Sequence, residues 1–145
     1  MNNDAKLALQ IDRLMRQFHS DLHPRAQQID AEKIGPIGGM ILFVISERGP
    51  ITAQEISAAL GRDKSQVSRV VSLLIRKGMI DKSSDSSDAR SSPLYVSDKG
   101  ALQVAAFHGA LVETTKSLLG QLNRDEALQF SGLLAKILDV QGEPQ

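Results

Sequence analysis

Apolar residues recur along this chain mostly at helical spacing. Leu7, Ile11, Leu14, Phe18 and Leu22 follow one another at intervals of four, three, four and four, which lays them on one face of a helix from Lys6 to Leu22. Pro24 lacks an N–H and biases His23 toward extended backbone, so this helix is expected to end or kink there and to resume through Ala26 to Lys33. Gly35-Pro36 punctuates the chain, and Ile37 to Arg48, apolar nearly all round, predicts a buried second helix closed by Gly49-Pro50.

Helix-start signals crowd the middle of the chain. Thr52 with Glu55 three residues on forms a capping-box pattern ahead of Ile56, Ala59 and Leu60, and Gly61 supplies the turn after this short helix. Asp63 with Gln66 opens the next helix. Its Val67, Val70, Val71, Leu74 and Ile75 form an inward face, while Lys64, Ser65, Gln66, Ser68, Arg69, Ser72 and Arg76 face out, and Gly78 suits its end.

After Gly78 the period changes. Residues 79–82 and 94–96 are short β-prone runs flanking the polar stretch SSDSSDARSS, which reads as a hairpin with a long exposed tip. Ser97 then caps a long helix through Leu102, Ala105, Val112 and Leu118, and Asn123 with Glu126 marks a final helix carrying Leu128, Phe130, Leu133, Leu134, Ile137 and Leu138.

Composition narrows the classes. At 145 residues the chain has the length of one domain, read as a single unit over 1–145, and is long enough to bury a core without staples. It has no cysteine, which excludes disulfides, thiolate nucleophiles and Cys-ligated zinc. The opening residues interrupt every apolar stretch with charge, and Met40 to Ile45 is too short to cross a bilayer, so a cytoplasmic location is expected. No Ser/His/Asp order, glycine-rich phosphate loop or metal motif points to an enzyme, and no cofactor is implied.

Two short helices joined by a glycine-bearing turn, the second polar at its N-terminus and followed by a hairpin, describe a winged helix-turn-helix. The first helix steadies the second, and the second presents Ser65, Gln66, Ser68 and Arg69 to base edges in the major groove. Gln pairs bidentately with adenine, Arg with guanine, and Ser with bases or phosphate. Thr52, Arg62, Lys64, Arg76 and Lys82 are candidate phosphate contacts, and Arg90 in the wing suits the negative potential of a narrow minor groove. The formal net charge is zero, but residues 62–90 hold seven basic residues against four acidic ones, net +3. A locally basic head on a neutral chain suits specific DNA binding better than coating by charge.

At these residues the sequence resembles the MarR (multiple antibiotic resistance regulator) family of bacterial winged-helix transcription regulators. The likeness runs through IGPIGGMILFVISERGPITAQEISAALGRDKSQVSRVVSLLIRKGMI and the wing SDARSSPLYVSDKG. Its most specific part is Asp88-Ala89-Arg90 followed by Leu94-Tyr95-Val96-Ser97 and Gly100, similar to a D-x-R…L-T-x-x-G pattern with Ser97 in place of Thr. The resemblance implies a mainly α fold: a DNA-binding lobe over 34–100 with a two-stranded β wing, and dimerisation helices over 1–33 and 101–145. It further implies that Arg90 enters the minor groove, oriented by Asp88, and that the chain is a ligand-responsive repressor binding double-stranded DNA as a homodimer on a pseudo-palindromic operator. Physics points the same way on assembly. One reading helix covers only a few base pairs, and a symmetric dimer spans two half-sites about 34–36 Å apart.

Family members bind small, often aromatic or phenolic, effectors, and Phe18, His19, Met40, Phe43, Phe107 and His108 are candidates to line such a pocket; aromatics at helical spacing are also ordinary core. His19, His23 and His108 are weak metal candidates, since His19 and His23 share a helical face. The lack of cysteine excludes the family's thiol-oxidation sensing. A winged-helix module used for protein docking, without an operator, is the competing function.

Overall fold

The computed structural model describes residues 2–83 and 92–140. Its elements run α1 (Asn3–Gln28), α2 (Gly35–Arg48), α3 (Ala53–Leu60), α4 (Lys64–Arg76), β1 (Ile80–Lys82), β2 (Leu94–Val96), α5 (Asp98–Leu118) and α6 (Arg124–Val140). Among the described residues no helix is long and apolar enough to cross a membrane. The chain divides into two compact units, one of Leu22–Leu111 and one of Met1–Asp21 with Val112–Gln145.

The Leu22–Leu111 unit holds the helix-turn-helix and wing. Its core is a cluster including Ile41, Leu42 and Ile45 of α2, Ile56 of α3, Val67, Val71 and Leu74 of α4, and Met79, Ile80 and Leu94 of the wing base, all buried. The inward face expected for α4 is the one observed, with Val70 and Ile75 partly buried against the same cluster.

Local chemistry sets the helix ends. At α3 the Thr52 hydroxyl accepts from the Glu55 N–H (3.2 Å), and the same hydroxyl donates to Glu55 Oε1 (3.0 Å), a variant of the expected box in which the carboxylate meets the hydroxyl. Gly61 then takes a left-handed backbone (φ 59°), the conformation glycine adopts at least cost. Buried Ser57 locks that turn, donating from Oγ to the Arg62 carbonyl (2.6 Å) while its own carbonyl accepts from the Arg62 N–H (3.1 Å). Asp63 caps α4 by accepting from the Gln66 N–H at a long 3.4 Å.

The wing is antiparallel, with Ile80 opposite Val96 and Lys82 opposite Leu94. Ile51, just ahead of α3, adds an antiparallel bridge to Leu94 that sequence did not suggest. Ser97 opens α5 as expected: its hydroxyl accepts from the Gly100 N–H (3.1 Å) and donates to the Gly78 carbonyl.

One expectation is met only in part. The first helix runs without interruption through Pro24 to Gln28, and residues 29–33 form turns where a resumed helix was expected. Proline in a helix removes the bond to the carbonyl four residues earlier, here Ser20. Ser20 and Pro24 are both exposed, so water can serve the freed carbonyl while buried Leu22 and half-buried Ala26 hold the helix on either side. The turns are fixed by Asp30, whose carboxylate accepts from the Ile34 and Gly35 N–H groups (2.8 and 3.0 Å) and so caps α2 from four residues upstream. Lys33 in these turns has φ 58°, an unusual value for a residue with a side chain.

The second unit is built from the N-terminal part of α1, the C-terminal part of α5, and α6. Asn123 and Glu126 make the full reciprocal box at the start of α6, Asn123 N–H to Glu126 Oε1 (3.0 Å) and Glu126 N–H to Asn123 Oδ1 (2.8 Å). Its apolar stripes are uncovered: Leu7, Ile11 and Met15 of α1 and Leu128, Leu133, Ile137 and Leu138 of α6 are 49–63% exposed.

Candidate nucleic-acid interface

The short α3 and the longer α4 meet across the Gly61 turn, and a groove of about 520 Å³ lies along their outer side. Lys64, Ser65, Ser68 and Ser72 line it from α4, Ala53 and Gln54 from the first turn of α3, and Lys82 from β1. The placement follows from helical spacing. Ser65, Ser68 and Ser72 lie three and four residues apart on the exposed part of α4, with Val71 and Ile75 bordering the same groove. The groove thus carries three serine hydroxyls, the Gln54 amide and the ammonium groups of Lys64 and Lys82, beside the apolar side chains of Val71 and Ile75. Hydroxyls and amides both donate and accept, which suits base edges, and lysines suit phosphates.

Of the residues singled out as major-groove readers, Ser65 and Ser68 line this groove. Arg69 is exposed and Gln66 half-buried on the same first two turns of α4, beside the groove rather than among its lining residues. Among the phosphate candidates, Lys64 and Lys82 reach the groove; Arg62 and Arg76 are exposed on the same lobe, and Thr52 is occupied with Glu55. Gln54 and Ser72 are groove residues that sequence reasoning did not choose. The available signal was position: Gln54 sits two residues after a helix cap, where side chains project from a helix N-terminus. Arg90 and Asp88 lie outside the described residues.

Of the residues proposed for an effector pocket, Phe18 and His19 belong to one unit and Met40, Phe43, Phe107 and His108 to the other. Phe107 lines a cavity of about 270 Å³ in the Leu22–Leu111 unit, together with His23, Gln27, Ile29, Asp30, Lys33, Gly39 and Gln103. Phe18 and His19 line an apolar hollow of about 380 Å³ in the other unit, with Leu14, Met15, Leu118, Phe130 and Leu134. Phe43 stacks with His108 at a centroid distance of 6.3 Å, and Met40 is exposed. Among the described residues, no group of three or more His, Asp or Glu side chains is placed to hold a metal ion. His19 packs edge-on against Phe18, and His23 borders the Phe107 cavity.

A short helix, a glycine turn, a second helix with a polar outer face and a following two-stranded wing define a winged helix-turn-helix of the kind found in transcription regulators. Residues 37–91 match the model of the MarR family. The chain is similar to that family over those residues. Its fold is similar to that of MarR from E. coli, a cysteine-to-serine mutant complexed with operator DNA, at 21% identity over 92% of this chain and 94% of that one (TM-score 0.74). It is also similar to BpsR of Bordetella bronchiseptica, whose DNA binding is regulated by 6-hydroxynicotinic acid, at 22% identity over 88% and 98% of the two chains (TM-score 0.70). A mutant MepR from multidrug resistant S. aureus gives 26% identity over 91% and 97% (TM-score 0.69).

Proposed function

We propose that this chain is a sequence-specific regulator of transcription that binds a pseudo-palindromic operator as a homodimer, acts as a repressor, and releases DNA when a small molecule binds. The observation that carries the DNA reading is the groove between α3 and α4, with serine and glutamine side chains along its wall and Lys64 and Lys82 among its lining residues. DNA in complex with the E. coli relative supports the same reading.

The homodimer is supported by the uncovered leucines and isoleucines of α1 and α6. Contiguous apolar faces of this kind on a small protein mark association sites. Effector control is supported by the Phe107 cavity, where an aromatic ring and a histidine share a wall with Lys33, Asp30 and Gln103. Regulation of BpsR by 6-hydroxynicotinic acid supports an aromatic or phenolic effector here as well. Such a ligand acts by changing the separation of the two reading heads, which must match the half-site spacing.

The test is a selection of genomic fragments by the purified protein, followed by footprinting. Two protected half-sites about one helical turn apart support the proposal. Protection of no DNA at all transfers the function to the competing protein-docking module.

A further inference from the structure

The first turn of α5 reaches two other parts of the Leu22–Leu111 unit at once. Lys99 Nζ donates a hydrogen bond to the backbone carbonyl of Lys77 (2.9 Å), the residue that closes α4, and pairs with Glu32 Oε1 (2.9 Å) in the turns between α1 and α2. The last carbonyls of a helix lack partners within it and carry partial negative charge, so an ammonium group is favoured there. Glu32 holds that ammonium in place. Its carboxyl is pushed below the usual carboxylate range, first by the hydrogen bond from Lys99, then by the Lys99 charge, with Lys77 adding to it.

The contact belongs to a seam. Beside it Ser97 Oγ donates to the Gly78 carbonyl, and the Ser97 N–H to the Met79 carbonyl (3.0 Å). One turn along α5, Gln103 Nε2 donates to the carbonyl of Ile29 (2.9 Å). The turns that Lys99 and Gln103 grip are the ones whose Ile29, Asp30 and Lys33 border the Phe107 cavity.

We propose that Lys99 is a positioning residue for α4, tying the C-terminal end of that helix to the Glu32 turn. The proposal rests on α4 being the DNA-reading helix. It makes the orientation of α4 depend on the turns bordering the cavity, and it assigns Lys99 and Glu32 a role that neither a phosphate contact nor an ornamental surface pair would have.

The two residues carry opposite charges, which separates the explanations. Removing Glu32's charge would tighten DNA binding if charge alone mattered; loss of positioning weakens it. Binding to a protected fragment is measured across a salt titration for wild type, Lys99→Met, Lys99→Arg and Glu32→Gln. Amide exchange at Lys77 to Met79 is followed in the same proteins without DNA. Surface ion pairs are individually weak, so the expected loss is about two- to five-fold for Lys99→Met and Glu32→Gln, with parallel salt slopes. Lys99→Arg keeps most of the affinity, and exchange at Lys77 to Met79 speeds up in the two weakened variants. Tighter binding by Glu32→Gln, or a salt slope shallower by about 0.9 in Lys99→Met, overturns the proposal in favour of charge or a phosphate contact. Unchanged amide exchange overturns it as well. A wild type that protects no DNA refutes the DNA reading instead, and the exchange data then still decide whether the tie exists.

Discussion

Gly100 packs directly against the backbone of Met79. A Cβ on Gly100 would collide with the Met79 carbonyl oxygen, and it would lie 3.1 Å from the carbonyl carbon and 2.9 Å from Val96 Cγ1. The glycine of the L-T-x-x-G-like pattern is therefore a matter of space: it lets α5 close onto the segment that links α4 to the wing. Gly100→Ala is expected to destabilise the fold by about 2–3 kcal/mol, the upper part of the overpacking range, because the obstacle is backbone and cannot rotate away. A thermal midpoint equal to wild type would contradict this.

Asp30 stands in for a conventional cap on α2, whose own N-cap, Ile34, offers no side-chain acceptor. Asp30→Ala should cost about 0.5–2 kcal/mol in denaturant unfolding, as cap losses do, and Asp30→Asn, which keeps one acceptor oxygen but loses the second and the charge that suits the helix dipole, should cost part of that. Equal stability of all three proteins would show that the cap contributes nothing.

Ile137 lies on the exposed apolar stripe of α6 at 56% exposure. For a homodimer joined through this stripe, Ile137→Glu buries a charge without a partner and is expected to shift the protein to monomer in sedimentation at micromolar concentration. Because the residue is exposed in the single chain, the helical circular dichroism should persist.

Arg90, assigned to the wing by its D-x-R context, is expected to act chiefly as a charge. Arg90→Ala should weaken operator binding and reduce the magnitude of the salt slope by about 0.9, one phosphate contact. Affinities that coincide with wild type at every salt concentration would remove Arg90 from the interface.

Gln66 is expected to read bases, so Gln66→Ala should change preference at one or two operator positions by about 1–3 kcal/mol in a binding selection. A uniform loss across all sequences would make Gln66 a phosphate contact. Its half-buried place beside the groove, against the exposed Ser65 and Ser68 within it, makes the comparison with Ser68→Ala informative.

The helix-turn-helix was legible because its signals are local. Thr52, Gly61, Asp63 and Gly78 each act on their own turn, and the valines of α4 declare its buried face by spacing alone. Pro24 does not end α1, because the cost of a proline depends on whether the freed carbonyl can be hydrated, which is a property of exposure in the folded chain. Ile51 misled by omission, since a single residue bridging to Leu94, distant in sequence, leaves no periodicity to detect. The aromatic pocket candidates were chosen by residue type. Type does not say which side chains converge: Phe107 borders a hollow of the Leu22–Leu111 unit, and Phe18 one of the other unit.

The exposed serines of α4 take little part in its core. Val67, Val71 and Leu74 hold the lobe together, while Ser65, Ser68 and Ser72 are small and exposed. For an α4 that reads DNA as proposed, single codon changes at these three positions are expected to alter the reading surface at little cost to stability, and they are where a designer would begin to redirect it.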